Sequence, residues 1–488
     1  MTEVRVGTID ILRKLAEFEA APRIRSEVAL LEALASGVAD DDVAVATRSA
    51  AALHAVATIA VGGISAGRAD NGPLVALDIL LKLTRGEEVA TNTTKLLRCC
   101  ELILKICGLS DATFSQAVGM GGLQVLEDLM RTSDVLVQLN AMELLEQYMC
   151  ASHVQVRYLF EGGLASWLIF LATGWTKDGT GAGGGGDPLL GANALRILSS
   201  MSTVAYQTTT SSGGGGGVGV GSAAGEAADG GMGAGQAAGE VLDASKDAPL
   251  WTVHDPDIMH QFLRAIVHYS DGGESSHLAA VDAVSKFAGG SETAMSLVIE
   301  DRPLLEAWLT LPSRPQQQAI ILQSVAHALA PHLNGRFDAA SGRSEQSRSE
   351  LACTPEAGRS ELNRRLFEAL GTYNGKQTMD LAVKLLGKPI PEQRCAAFAL
   401  LRATAVQGLW GLQTLLGFAT FSSFMQNRRS EQDKICKEWK FAVIEAIMHS
   451  PCLQEVCDPG TQGSFSAMLQ EGPFFMPAMT AEVDLEAM

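Results

Sequence analysis

The sequence predicts an all-α fold, a HEAT/armadillo-like helical-repeat solenoid that forms a superhelical arc with disordered glycine-rich insertions. Three observations predict it. Apolar residues recur at helical spacing through most of the chain, and helix-start signals return at intervals typical of armadillo and HEAT units, about 40–47 residues. Alternating apolar and polar residues, the pattern of a half-buried strand, are nearly absent. Apolar residues make up 47% of the 488, enough to bury an extended core.

The repeat is most visible in two segments about 41 residues apart. Gly121-Gly122 precedes the apolar stretch Leu123 to Met130, and Gly162-Gly163 precedes the similar stretch Leu164 to Leu171. Between them, Asp134 to Met149 reads as a helix with an aspartate at its N-cap. Its apolar residues cover a wide arc, which predicts that it packs against neighbours on more than one side.

Acidic, polar or proline residues mark eight predicted helix starts along the chain. They are Asp42, Glu87, Asp134, Asp187, Glu274, Pro315, Pro391 and Glu431. Four of the spacings between them fall at about 40–47 residues, and the longer gaps contain insertions.

Three stretches interrupt the repeats: residues 179–186, 211–240 and 336–361. Residues 211–240 hold 13 glycines and no aromatic residue, so they cannot bury enough surface to offset their ordering entropy and should form a flexible loop. The predicted organisation is helical repeats over 1–178, a repeat interrupted by flexible glycine-rich insertions over 179–250, central repeats over 251–335, a polar loop over 336–361, C-terminal repeats with a capping hook over 362–477, and a tail over 478–488.

Charge and hydropathy restrict the class of partner. Acidic side chains outnumber basic ones 55 to 37, giving a net charge of −18, whereas binding nucleic acid requires a basic stripe. No apolar run approaches the roughly 20 residues that span a bilayer, and no secretory signal is visible. The nine cysteines fit free thiols in a reducing compartment. We expect a monomeric, soluble, cytoplasmic protein, with the nucleus as a second compartment and with neither nucleic-acid nor membrane partners.

Signals for chemistry are weak. Gly217-Val-Gly219-Val-Gly221 lacks the strand and helix that a phosphate-binding loop requires. Cys452 and Cys457 have no second pair at zinc-finger spacing, and the chain contains no serine-centred nucleophile elbow. We therefore expect no enzyme, no catalytic or metal-binding residues and no cofactor.

Stacked helical repeats bind partners along extended surfaces, so polar stripes opposite the apolar arcs are the candidate contacts. These stripes are Asn140, Glu143 and Gln147 in the third unit, Arg394 and Arg402 further along, and Lys434, Glu438, Phe441 and Glu445 in the last units. Arg394, Arg402 and Phe441 are favoured, because arginine and aromatic residues concentrate at binding hot spots. The alternative interpretation of each stripe is a solvated helix face.

The C-terminal segment departs from the repeat. Leu469 to Pro477 reads Leu-Gln-Glu-Gly-Pro-Phe-Phe-Met-Pro, which predicts a helix end followed by an extended apolar hook, or alternatively a cap over the last repeat. This segment resembles the 26S proteasome non-ATPase regulatory subunit 5 family, whose members end in Leu-x-Glu-Gly-Pro-aromatic-aromatic with a proline shortly after. Arg394 to Ala397 resembles the family's Cys-Ala-Ala helix start, and Asp433 to Ser450 resembles its penultimate helix. The detailed likeness covers about residues 388–477.

The resemblance implies a function without chemistry. Family members are HEAT/armadillo-like arcs that hold the C-terminal domain of one ATPase subunit while the base of the proteasome regulatory particle assembles. They leave before the 26S particle is complete, and so can delay docking of the ATPase ring onto the proteolytic core. The resemblance thus implies a chaperone whose partners are a regulatory-particle ATPase subunit and base assembly intermediates.

Other functions stay open at this point. A generic armadillo or HEAT scaffold or adaptor would bind a different protein; peptide-reading scaffolds of this type usually carry tryptophan and asparagine arrays, and the six tryptophans here show no such register. An enzyme regulator with a catalytic site in an insertion would need a nucleophile–base pair, which residues 211–240 do not offer. A stable subunit of the mature particle would differ from the chaperone only in timing.

Overall fold

The structure is a computed structural model. It describes residues 2–16, 28–64, 72–150, 152–173, 187–211, 256–270, 274–333, 355 and 357–475. Within these ranges the regular structure is entirely helical, with 25 α-helices, one short 3-10 helix and no strand, so the predicted all-α class is confirmed. The glycine-rich tracts and most of the predicted polar loop lie outside the described residues, and their flexibility stays a prediction.

The chain divides into two compact units, Met1–Lys246 and Asp247–Met488. In the first unit the helices are α1 (Thr2–Ala16), α2 (Val28–Val38), α3 (Val43–Ile64), α4 (Gly72–Arg85), α5 (Glu87–Ala90), α6 (Thr93–Cys107), α7 (Asp111–Gly119), α8 (Gln124–Met130), α9 (Val135–Met149), α10 (His153–Glu161), α11 (Leu164–Thr173) and α12 (Pro188–Ser211).

The second unit holds the remaining helices. They are α13 (Pro256–Ser270), α14 (Glu274–Gly290), α15 (Glu292–Glu300), α16 (Arg302–Leu309), α17 (Pro315–Leu329), the 3-10 helix Pro331–Leu333, α18 (Ala357–Tyr373), α19 (Thr378–Leu386), α20 (Pro391–Ala405), α21 (Leu409–Leu416), α22 (Phe421–Gln426), α23 (Lys434–His449), α24 (Leu453–Val456) and α25 (Pro459–Glu471). In the described ranges, no helix is both long and apolar enough to cross a membrane.

One helix of each repeat stacks on the corresponding helix of the next. In the first unit α3, α6, α9 and α12 pack in this order, and in the second unit α14, α17, α20 and α23 do the same. Such a row of equivalent helices is the defining contact of an armadillo-like array, in which each repeat packs on its neighbours. Six of the eight predicted starts lie at or directly before the first residue of a row helix: Asp42, Asp134, Asp187, Glu274, Pro315 and Pro391.

Helix capping explains why the predicted starts are accurate and where two of them shift. Asp134 accepts hydrogen bonds from the backbone N–H groups of Leu136 and Val137 at the start of α9. Glu87 begins only the one-turn α5, and α6 starts after Asn92, whose side chain caps it. The row helix α23 starts at Lys434, three residues after the predicted Glu431, because Asp433 is its cap.

The predicted polar loop 336–361 is too long at its C-terminal end, because α18 already begins at Ala357. Arg359 accounts for this early start. Its guanidinium donates to the backbone carbonyls of Ala288, Ser291 and Ala328, at 2.6 to 2.8 Å. These three bonds fix the first turn of α18 to neighbouring elements, and such tertiary contacts cannot be read from local composition.

Close packing of α21 against the end of α20 depends on a glycine. A Cβ added at Gly411 would lie 2.0 Å from the carbonyl oxygen of Thr404. We expect Gly411→Ala to lower the free energy of unfolding by about 1–3 kcal/mol, since backbone must move to relieve the overlap. Urea unfolding measures the change. Gly463→Ala is the matched control: Gly463 lies within α25 with no atom near its added Cβ, so alanine there should be neutral or stabilising, and equal losses in both variants would contradict this account.

Candidate functional site

A small cleft lies where α23, the loop before it and the end of α25 meet. We call it the C-terminal cleft, and it is lined by Arg428, Glu431, Lys437, Lys440, Phe441, Ile444, Met468, Gly472 and Pro473. Its volume is about 30 Å³, far below the roughly 300–1,000 Å³ of small-molecule sites. The cleft is therefore too small for an organic cofactor. Its relevant features are the charged and aromatic side chains around it.

Arg394 and Glu431 form an ion pair that joins α20 to the loop before α23. The side chains are 12% and 1% exposed, respectively. A buried carboxylate is costly unless a counter-charge compensates it, which explains why Arg394 turns toward Glu431. The prediction that Arg394 projects as a partner contact is corrected here: its guanidinium is engaged within the chain.

Lys440 of α23 also binds the loop that precedes this helix. Its Nζ donates to the carbonyl oxygens of Phe424 and Asn427 and to the Ser430 hydroxyl, each at 2.7 Å. The ammonium also lies 4.8 Å from the centre of the Phe424 ring. Burial, with added repulsion from Arg394 and Arg428, lowers the pKa of Lys440 to about 7. The loop is thus built around a lysine whose charge changes near neutral pH.

The segment after α25 exposes two phenylalanines. α25 ends at Glu471, and Gly472 takes a φ of +87°, a left-handed conformation that glycine adopts without strain. Pro473 then prevents the helix from continuing. Phe474 and Phe475 follow in a turn and are 48% and 43% exposed.

In its described part, which ends at Phe475, the segment makes a turn in place of the predicted extended hook, and Met476 and Pro477 lie outside the described residues. The cap is α25 itself, which packs on α23 and buries Phe465 completely. Phe474 and Phe475 themselves lie at the surface.

Basic side chains approach both exposed rings. The Arg428 guanidinium lies 5.2 Å from the centre of the Phe475 ring, and the Lys434 ammonium lies 5.7 Å from that of Phe474. Arg428 is also paired with Glu471, which holds it beside the turn. We call Arg428, Lys434, Lys437, Phe474 and Phe475 the aromatic–basic patch.

The patch is basic in a chain that is acidic as a whole. Between residues 427 and 441, four basic and two acidic side chains are at least partly exposed, whereas over the whole chain acidic side chains lead by 55 to 37. Local positive charge beside exposed aromatic rings favours a partner surface that is acidic and partly apolar.

The last predicted stripe is only partly on the surface. The side chain of Lys434 is 76% exposed and lies 4.0 Å from the carboxylate of Glu438, which is 13% exposed. Phe441 is 3% exposed, because α25 and the loop cover it in the cleft, and Glu445 is 9% exposed. Phe441 is thus a core residue of the cleft, and its prediction as an accessible contact is corrected. Arg402 is half-buried near the end of α20.

The predicted stripe on α9 belongs to the first unit. Asn140, Glu143 and Gln147 are all exposed there, and Leu136, one turn earlier, is 71% exposed. These positions share one face of the helix. The stripe stays a predicted contact, separate from the aromatic–basic patch.

Three basic residues of the site were not among the predicted contacts: Arg428, Lys437 and Lys440. A signal for two of them exists, since lysines at 434, 437 and 440 recur every three residues and so follow one side of a helix. Arg428 has no comparable signal, because its position depends on how the loop before α23 folds. Within the described part of the chain, no three histidine, cysteine or acidic side chains are grouped as a metal ion would require.

The segment of the chain that contains the site is similar to a known protein family. Residues 352–486 match the family described as proteasome non-ATPase 26S subunit, and this range contains the whole aromatic–basic patch. The family resemblance is thereby confirmed. The match covers less than a third of the chain, so it concerns the C-terminal repeats.

Curated relatives agree with this assignment. The 26S proteasome non-ATPase regulatory subunit 5 of Bos taurus is 25% identical over 121 residues, which are 25% of this chain and 24% of that protein. The Homo sapiens protein of the same name is 24% identical over 137 residues, 28% of this chain and 27% of that protein. The alignments therefore span about a quarter of the length of these relatives, which are named as regulatory subunits.

Among solved structures, an engineered protein covers 90% of this chain and 98% of its own at 14% identity, with a TM-score of 0.36. A designed armadillo repeat protein covers 66% of this chain and 98% of its own at 15% identity, with the same TM-score. Both scores are low, and the all-α repeat assignment rests on the helix rows described above.

Proposed function

We propose that this chain is a chaperone for assembly of the base of the 26S proteasome regulatory particle. It binds the C-terminal domain of an ATPase subunit and is released before the mature particle forms. The observation that carries this proposal is the match of residues 352–486 to the proteasome non-ATPase subunit family, in the segment that also holds the aromatic–basic patch.

The patch has the composition of a protein-binding hot spot. Aromatic residues and arginine contribute most of the energy at such centres, and Phe474 and Phe475 are exposed while Arg428 and Lys434 lie over their rings. A partner that covers the rings would remove apolar surface from water, and acidic groups on it would meet the cations at the rim. Binding and release without a chemical step suit a transient chaperone.

The proposed contact can be tested by affinity purification of the tagged full chain from cell extract. Wild-type protein should recover a proteasomal ATPase subunit and base assembly intermediates. We expect Phe474→Ala/Phe475→Ala to weaken that recovery about tenfold or more, because each truncated hot-spot side chain costs at least about 1 kcal/mol. Phe170→Ala is the matched control, since Phe170 is also 40% exposed but lies on α11 of the first unit.

The possible outcomes test separately whether the chain is a chaperone and whether the aromatic–basic patch is its contact surface. If the wild-type chain recovers no proteasomal ATPase subunit, the chaperone proposal is wrong, and recovery of a different protein would favour the scaffold or adaptor alternative. If the double variant recovers as much ATPase subunit as the Phe170→Ala control, the aromatic–basic patch is not the contact. Recovery from purified mature particles as well would identify a permanent subunit.

A further inference from the structure

Two cysteines from neighbouring row helices lie side by side. Cys395 is in the first turns of α20 and Cys436 is in the first turn of α23, and their sulfur atoms are 3.6 Å apart. The bond length of a disulfide is about 2.05 Å, so closing the pair requires the sulfurs to approach by about 1.5 Å. Helices α20 and α23 already pack directly on one another, which holds the two thiols in register.

The two thiols differ in acidity and in access. The hydrogen bond between them lowers the pKa of Cys395 and raises that of Cys436. Burial and the charge of Asp433 oppose the lowering at Cys395, and the charge of Arg394 adds to it. Cys436 is fully buried and its thiol can also donate to the carbonyl oxygen of Pro391, at 3.8 Å. Cys395 is partly exposed. An oxidant therefore meets Cys395 first, with Cys436 placed behind it as a resolving thiol.

We propose that Cys395 and Cys436 are a redox-sensitive pair that closes to an intramolecular disulfide in the presence of a peroxide. The Cys395 thiolate attacks one peroxide oxygen; an S–O bond forms, the O–O bond breaks, and hydroxide leaves and takes up a proton as water. The Cys436 sulfur then attacks the sulfenic sulfur of Cys395; the S–S bond forms, the S–O bond breaks, and a second water leaves. In total, two thiols lose two electrons and two protons, and hydrogen peroxide is reduced to two waters.

The disulfide would join the last two row helices covalently at their N-terminal ends. The chain between them includes Arg428 and Lys434 of the aromatic–basic patch, so oxidation would constrain the segment that positions these cations. The proposal concerns the thiols alone and holds whether or not the chain is a proteasome chaperone.

Peptide mapping of the full chain tests the pair directly. Purified protein is treated with a small excess of hydrogen peroxide, alkylated and digested with trypsin without reductant. We expect the peptides Cys395–Arg402 and Ile435–Lys437 to appear as one disulfide-linked species, to separate on addition of dithiothreitol, and to be absent in the untreated reduced protein. Cys457→Ser, which changes a partly exposed cysteine outside the pair, should leave the linked species unchanged.

Variants of the pair distinguish its two roles. In Cys436→Ser the Cys395 sulfenic acid lacks its resolving thiol, so a dimedone adduct at Cys395 should accumulate several-fold over wild type. Cys395→Ser should lose both the linked species and the adduct. Circular dichroism establishes that each variant is folded. A wild-type protein in which Cys395 reacts with dimedone or goes on to sulfinic acid with no linked peptide would overturn the proposal, as would linkage of either residue to a different cysteine.

Discussion

Arg394→Ala is expected to lower the free energy of unfolding of the second unit by about 3–5 kcal/mol. The substitution removes the cation that neutralises Glu431, whose side chain is 1% exposed, and so leaves a buried carboxylate without a counter-charge. Urea unfolding followed by tryptophan fluorescence measures the loss of stability, since Trp410 and Trp439 both lie in the second unit.

Two further variants identify the origin of the effect. Arg364→Ala also breaks an arginine–carboxylate pair, but both side chains of that pair on α18 are more than half exposed. The urea concentration at the midpoint of unfolding should therefore hardly change in this variant. The double variant Arg394→Met/Glu431→Leu removes both buried charges and should recover most of the loss. If Arg394→Ala and Arg364→Ala have the same midpoint, the Arg394–Glu431 pair contributes nothing through burial.

The second large effect is a pH dependence that Lys440 introduces. Its pKa in the folded chain is about 7 and its ordinary value is 10.5, so between these values the unfolded chain binds the proton and the folded chain does not. Stability therefore rises with pH across this window and is lowest at and below pH 7, where the folded protein carries the buried charge. Between pH 7 and pH 9 the gain should be about 2 kcal/mol.

Comparison with Lys440→Met isolates this contribution. The variant loses the hydrogen bonds to Phe424, Asn427 and Ser430 at every pH, so the informative quantity is how the difference in unfolding free energy from wild type changes with pH. We expect the free energy of unfolding of the wild-type protein to rise relative to that of Lys440→Met as the pH rises. Lys437→Met, one turn earlier on α23, is the control. A difference that stays constant from pH 7 to pH 9 would show that Lys440 keeps its proton throughout.

The helical rows could be predicted because their signals are local. Asp134 and Pro391 mark helix starts through backbone hydrogen bonds and fixed dihedral angles within one turn, and the row helices follow from them. The shift of α23 from Glu431 to Lys434 has the same origin, since Asp433 is the better placed cap.

The candidate site could be predicted only in part, because burial there depends on contacts distant in sequence. Phe441 has the spacing of a surface stripe, yet α25 folds back and covers it. Arg394 reads as a free hot-spot arginine, and only the folded loop reveals Glu431 opposite it. The Gly-Pro-Phe-Phe motif located the right segment through family resemblance, but its exposure depends on the left-handed turn at Gly472 and the cations that flank the rings.

The packing of α25 on α23 has a consequence for the exposed faces of the second unit. A stacked array of repeats has no intrinsic length. Each row helix packs on the helix before it and presents a similar apolar face to the helix after it. α23 is the last row helix in the described part of the second unit, and an uncovered apolar face there would bind further helices, including those of a second copy. α25 packs on α23 with its own Phe465 fully buried, and so covers this face. The fold thereby exposes Phe474 and Phe475 beside a covered helix face and not beside an open one.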